Sequence, residues 1–102
     1  MELTSKQRSQ LRGLASKEDT IVFIGKGGIT ENVIEETNRA LTARELIKGK
    51  VLENSLLTAK EACAALSESC NAEQVQVIGS KFVLYRKNKK EPKIILVRDK
   101  NK

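Results

Sequence analysis

The chain has 102 residues, 31% of them charged and 3% aromatic, with a net charge of +6, no histidine and two cysteines. That length suits one domain with a core of Val, Ile, Leu and Ala, and it is too short for two domains flanking an active-site cleft. The composition argues against a platform of several stacking aromatic rings, against histidine catalysis and against an ordinary zinc site. Residues 1–85 hold 11 Lys or Arg and 11 Asp or Glu, whereas residues 86–102 hold 8 against 2, so the whole basic excess lies in the tail. Such a balance favours a polyanionic partner, nucleic acid before membrane, since no basic amphipathic helix accompanies it.

In chain order, Thr4 and Gln7 form a capping box that opens a short helix ending near Leu14, with Leu11, Leu14 and Ala15 as its apolar edge. Lys6, Arg8 and Arg12 occupy the other side, either as a solvated face or as a phosphate contact. After a turn at residues 16–19, the apolar run 21–24 reads as a strand buried on both faces. It runs into Gly25, Lys26, Gly27 and Gly28, and then into a helix with Thr30 as N-cap, Glu31 in its first turn, and Val33, Ile34, Thr37 and Leu41 along one face. Glycines let a backbone approach a ligand closely and the free N–H groups of a helix start attract anions, so this loop is a candidate phosphate site to which Lys26 adds charge. A plain strand-to-helix turn explains the glycines equally well on local grounds.

Residues 44–51 read as a second strand, weakened by Gly49, with Lys48 and Lys50 on one face. Strand, helix and strand should close as a right-handed parallel unit. Thr58 and Glu61 make a second capping box, and Ala59, Ala62, Cys63 and Leu66 follow helical spacing. Cys63 and Cys70 would lie about 10 Å apart along such a helix, too far for a disulfide. Val75, Val77 and Ile78 begin a third strand, Gly79-Ser80 is a hairpin turn, and residues 82–85 form a fourth strand antiparallel to the third. A Lys-rich loop, Pro92, a short edge strand at 94–97 and a mobile charged tip at 98–102 complete the reading. The expected fold is α/β, a single mixed four-stranded sheet packed with three helices in the order α-β-α-β-α-β-β. Without an evident leader or membrane span, the expectation is a cytoplasmic monomer.

Five blocks carry a resemblance: Leu11-Arg12-Gly13-Leu14-Ala15, Ile24-Gly25-Lys26-Gly27-Gly28-Ile29-Thr30, Glu45-Leu46-Ile47-Lys48, Val75-Gln76-Val77-Ile78-Gly79 and Val83-Leu84-Tyr85-Arg86. Together they resemble, from residue 3 to about 97, the bacterial YhbY family, the stand-alone form of the CRM (chloroplast RNA splicing and ribosome maturation) domain, which implies one such domain over residues 1–97. The resemblance implies an RNA-binding domain, not an enzyme, with a fold similar to the C-terminal domain of translation initiation factor three and a GxxG loop analogous to that of KH domains. Gly25 and Gly28 match the two glycines of that motif, with Lys26 and Gly27 between them. Bacterial relatives are associated with precursors of the large ribosomal subunit, so ribosomal RNA or its precursor particle is the implied partner.

The leading expectation is therefore RNA-backbone binding by Gly25, Lys26, Gly27 and Gly28, extended by Lys48, Lys50, Arg86 and Lys87, with Lys6, Arg8 and Arg12 as further contacts. Tyr85 is assigned to core packing. No catalytic residue, metal ligand or cofactor is expected. The alternatives are a protein-interaction module on a ribosomal particle and a nucleotide-binding domain. For the latter, Glu45 stands about where a ribose-binding acid would follow a glycine fingerprint, but Thr30 replaces the third glycine. Removing the chain beyond Arg86 is expected to leave residues 1–86 folded.

Overall fold

A computed structural model describes residues 3–97. The elements are α1 (Ser5–Ala15), β1 (Thr20–Ile24), α2 (Glu31–Arg44), β2 (Leu46–Val51), α3 (Ala59–Ser69), β3 (Glu73–Ile78) and β4 (Lys81–Tyr85), the expected order. All three helices begin on threonine caps. Thr4 and Thr58 form complete capping boxes with Gln7 and Glu61, while the Thr30 hydroxyl accepts the Val33 N–H at 3.2 Å.

The strands lie in the order β1-β2-β4-β3, with β1 and β2 parallel and the other neighbours antiparallel. α2 and α3 cover one face: Leu41, Ala62, Cys63 and Leu66 pack there on Val22, Ile24, Ile47, Phe82 and Leu84. On the other face α1 brings Leu11 and Ala15 onto Leu46, Val75, Val83 and Tyr85. β1 is thus an edge strand with only one covered face. Val22 and Ile24 are buried, but Phe23 is 50% exposed, which corrects the expectation of a strand buried on both sides.

Gly49 does not weaken β2. The strand pairs on both edges through this residue, and a Cβ there would lie 2.3 Å from the Phe82 ring, so glycine is what lets the ring seat against the sheet. The second strand also starts later than expected, because Arg44 ends α2 and Glu45 turns the chain with φ 66°. A non-glycine residue in that conformation carries strain that its surroundings must offset. Glu45 is fully buried, and its carboxylate accepts the N–H groups of Asn88 (2.7 Å), Lys93 (2.8 Å) and Ile94 (2.7 Å).

Those bonds explain why residues 94–97 are not the expected edge strand. Their donors go to side chains instead: the Val97 N–H donates to Gln10 Oε1 at 2.9 Å, and Ile94 and Leu96 pack beside α1. The tail as far as Val97 is therefore docked, and truncation after Arg86 would strip a buried carboxylate of all three donors, which weighs against the expectation that residues 1–86 stand alone. The expected charged tip, 98–102, lies outside the described residues. Cys63 and Cys70 are both buried and free. Burial raises the Cys63 thiol to about 11, and it raises that of Cys70 against the opposing pull of Arg86.

Candidate nucleic-acid interface

The glycine loop leaves β1 at the end of the sheet where β2 ends and the β3–β4 hairpin turns. The Gly28 N–H donates to the Gly25 carbonyl at 3.0 Å, closing a tight turn, and Gly28 takes φ +73°, a conformation that favours glycine. The other two glycines are not demanded by the fold. A Cβ on Gly25 would meet Asn54 and Leu52 at 3.7 and 3.8 Å, and one on Gly27 would meet Thr30 at 3.5 Å, both ordinary contacts. The Leu52 N–H donates to the Ile24 carbonyl at 2.8 Å, which sets the 52–57 segment beside the loop. Lys26 is exposed at the tip, and the starts of α2 and α3 both adjoin this end.

Lys48 and Lys50 share a face, as expected, and it is the α1 face of the sheet. Register gives them neighbours that the sequence did not reveal. Phe23, Lys50, Lys81 and Ile78 form one cross-strand row, and Thr20, Lys48, Val83 and Gln76 the next. Lys50 and Lys81 stand directly opposite one another, an arrangement that repulsion makes unfavourable unless something else requires it. Neither they nor Lys48 or Arg12 forms an ion pair with a described carboxylate, whereas Arg44 has Glu18 at 3.8 Å.

The other expected contacts divide. Arg12 is exposed and borders the lysine rows, but Arg8 donates to the Gln74 carbonyl and Lys6 points to solvent, so the three cations of α1 do not form one patch. Arg86 and Lys87 follow β4 at the opposite end of the sheet, a strand length of about 15 Å from Lys81. The Arg86 guanidinium is committed to the fold: it donates to Asn38 Oδ1 (2.7 Å), the Cys70 carbonyl (2.7 Å), the Asn38 carbonyl (3.0 Å) and Thr42 Oγ1 (2.9 Å). Lys87 is exposed. The sequence reading missed Phe23, Gln76, Ile78 and Lys81. Lys81 shares the parity of Val83 and Tyr85, but only the register shows that it faces Lys50.

Glu45 cannot serve as a ribose acid, because its carboxylate is enclosed and occupied by backbone donors. Among the described residues no group of three or more Cys, Asp or Glu is set to hold a metal ion, and no helix is long and apolar enough to cross a membrane.

These features define a small α/β sandwich with a glycine loop and a cationic sheet face whose lysines form no ion pair with a described carboxylate. The model of the CRS1/YhbY (CRM) domain matches residues 3–86, and the chain belongs to that family. It is 39% identical over 94 residues to the Bacillus subtilis protein named probable RNA-binding protein YqeI, covering 92% of this chain and 98% of that one. A Haemophilus influenzae protein named RNA-binding protein is 41% identical over 96 residues, 94% of this chain and 96% of its own. The solution structure of a Staphylococcus aureus protein, described as a candidate RNA-binding protein, superposes with a TM-score of 0.78 at 48% identity, covering 94% of this chain and all of that one.

Proposed function

We propose that the chain binds RNA, holding the backbone with the glycine loop and with the lysines of the neighbouring sheet face. The observation that carries this reading is the set of Lys48, Lys50 and Lys81 on the sheet face that borders the loop, with Arg12 of α1 beside them, none of which forms an ion pair with a described carboxylate. Like charges held together at a cost to the fold are explained by a polyanion that neutralises them. Gly25 and Gly27 fit the same reading: the fold has room for a Cβ at either, and the space left bare admits a phosphate close to the backbone at the start of α2. Lys26 supplies a mobile charge at that point. Arg86 contributes by holding α2 to the end of β4, and Lys87 lies at the far end as a peripheral contact.

The relatives' names support RNA as the ligand. Within that class we propose large-subunit ribosomal RNA or its precursor particle as the target, met in the cytoplasm by a monomer that assists assembly without catalysing a reaction. The experiment is a salt-series titration by fluorescence anisotropy against fragments of large- and small-subunit ribosomal RNA. Affinity should fall steeply with salt, Lys26→Ala, Lys48→Ala and Lys50→Ala should each flatten the log–log slope by about 1, and large-subunit fragments should bind more tightly. Binding that ignores salt and all three substitutions would overturn the RNA-backbone reading; equal affinity for both RNA classes would remove the large-subunit assignment.

A further inference from the structure

We propose that the sheet face at the end of α1 holds a site for one unpaired nucleotide, distinct from the glycine loop. This rests on the RNA-binding reading, which supplies the polymer, and adds that the protein takes a base out of it.

α1 covers the row that contains Leu46 and Tyr85, and it ends at Ala15. The end of α1 still covers Val83 in the next row, whereas the Lys50, Lys81 and Ile78 row beyond it lies open, and a cavity of about 380 Å³ remains between the helix terminus and the strands. That size falls within the range of about 300–1,000 Å³ typical of small-ligand sites. The exposed Ile78 gives it apolar surface above a floor of the buried Ala15 and Val83, Gln76 a polar wall, and Arg12, Lys48 and Lys81 its charge; no carboxylate lines it.

Each part matches a part of a nucleotide. Ile78 is 62% exposed, an unusual position for a β-branched apolar side chain at the end of a strand; Phe23, 50% exposed, stands at the far edge of the same row, outside this recess. An exposed apolar surface of this kind receives the flat face of an unstacked base. The half-buried Gln76 amide carries both donors and an acceptor, and it has no hydrogen-bond partner among the described residues, so it is free to meet a base edge. The cations around the rim then hold the flanking phosphates. Paired RNA satisfies only the cations, because its bases remain in the stack and cannot reach Ile78 or Gln76. An acidic protein segment would likewise leave the amide and the apolar surface unused, and charge complementarity combined with a base-sized apolar recess favours the nucleotide.

The test compares two RNA hairpins, identical except that one carries a single bulged 2-aminopurine nucleotide, a base whose fluorescence reports stacking. The intact chain should bind the bulged hairpin about tenfold more tightly and change its fluorescence. The double variant Gln76→Ala/Ile78→Ser alters exposed or half-buried side chains, and it should bring the two affinities within about twofold while leaving the paired hairpin bound as before. The single variant Gln76→Ala should lower the preference part of the way. Equal affinity of the intact chain for the two hairpins, or a preference that survives the double variant, would remove the nucleotide site and leave backbone binding standing. Failure to bind either hairpin at low salt would remove the RNA reading and this site with it.

Discussion

Replacing Glu45 by glutamine keeps the shape of the side chain but takes away its charge and one acceptor oxygen. In the native protein Oε1 accepts from Lys93 and Ile94, and Oε2 accepts from Asn88, all within 2.7–2.8 Å. In the variant an amide NH₂ must face at least one of these backbone donors, and the remaining bonds lose the roughly twofold strengthening that an ionised acceptor provides. Hydrogen bonds to charged groups contribute about 1.5–3 kcal/mol each, and leaving one buried donor unmet costs about 1–3 kcal/mol. A net loss of about 3 kcal/mol follows, a large share of the 5–15 kcal/mol that stabilises an ordinary domain. At about 4–8 °C per kcal/mol for a domain near this size, the melting temperature should fall by about 12–24 °C. The assay is thermal melting with hydrogen exchange: the amides of Asn88, Lys93 and Ile94 should lose protection before those of β2 and β4. Truncation after Arg86 removes the same three donors and should destabilise at least as much, whereas truncation after Val97 keeps them and should melt close to the full chain. A Glu45→Gln variant that melts within about 2 °C of wild type, with the three amides still protected, would refute the role given to this carboxylate.

Three further outcomes follow from single contacts. Gly49→Ala puts a Cβ 2.3–2.9 Å from the Phe82 ring and should cost about 1–3 kcal/mol in denaturant unfolding; Phe82→Leu in the same chain should recover part of that loss, and strict additivity would show that the ring is not the obstacle. Tyr85→Phe should leave stability unchanged or raise it by up to about 2 kcal/mol, because the buried Tyr85 hydroxyl has no partner among the described residues; a clear loss would reveal a partner. Burial raises the Cys63 thiol from 9.0 to about 11, so the unfolded chain releases that proton first. Its contribution to stability is complete below pH 9 and declines as pH rises to about 11, by at most about 2.7 kcal/mol. Denaturant midpoints of wild type and Cys63→Ala under reducing conditions should diverge below pH 9 and converge above it; a constant gap would contradict the assignment.

Local chemistry was legible in the sequence, and register was not. The capping boxes at Thr4 and Thr58, the Gly79-Ser80 turn and the helical spacing of Ala59, Ala62, Cys63 and Leu66 each depend on a few neighbouring residues, and each appears as expected. Which residues share a face across the sheet depends on the strand order β1-β2-β4-β3, which no local signal encodes, so the sequence alone does not single out Lys81 and does not separate Arg86 from a lysine track that lies a strand length away. Glu45 shows the same limit. Its partners lie 43 to 49 residues along the chain, and a residue that reads locally as the edge of a strand is the anchor of the tail.

The two ends of the sheet divide the work. At one end Glu45 fixes the tail, the Arg86 N–H donates to the Glu45 carbonyl at 2.9 Å, and the Arg86 side chain ties α2 to α3's last turn, so the Glu45 carboxylate and the Arg86 guanidinium are matched there, while Lys87 stays exposed. At the other end the Val51 N–H donates to the Ser80 carbonyl at 2.8 Å, which secures the hairpin, but Lys26, Lys50 and Lys81 around it form no ion pair with a described carboxylate, and Ile78 is exposed. Stability and binding should therefore separate by position. Substitutions at Glu45 or Arg86 should lower the melting temperature first and RNA affinity only as the fold is lost, while Lys50→Ala or Lys81→Ala should weaken RNA binding and, by relieving direct like-charge opposition, hold or raise the melting temperature. A lysine substitution that lowered both together would mean that the open end is part of what holds the sheet, and that its unmatched charge has a structural cause.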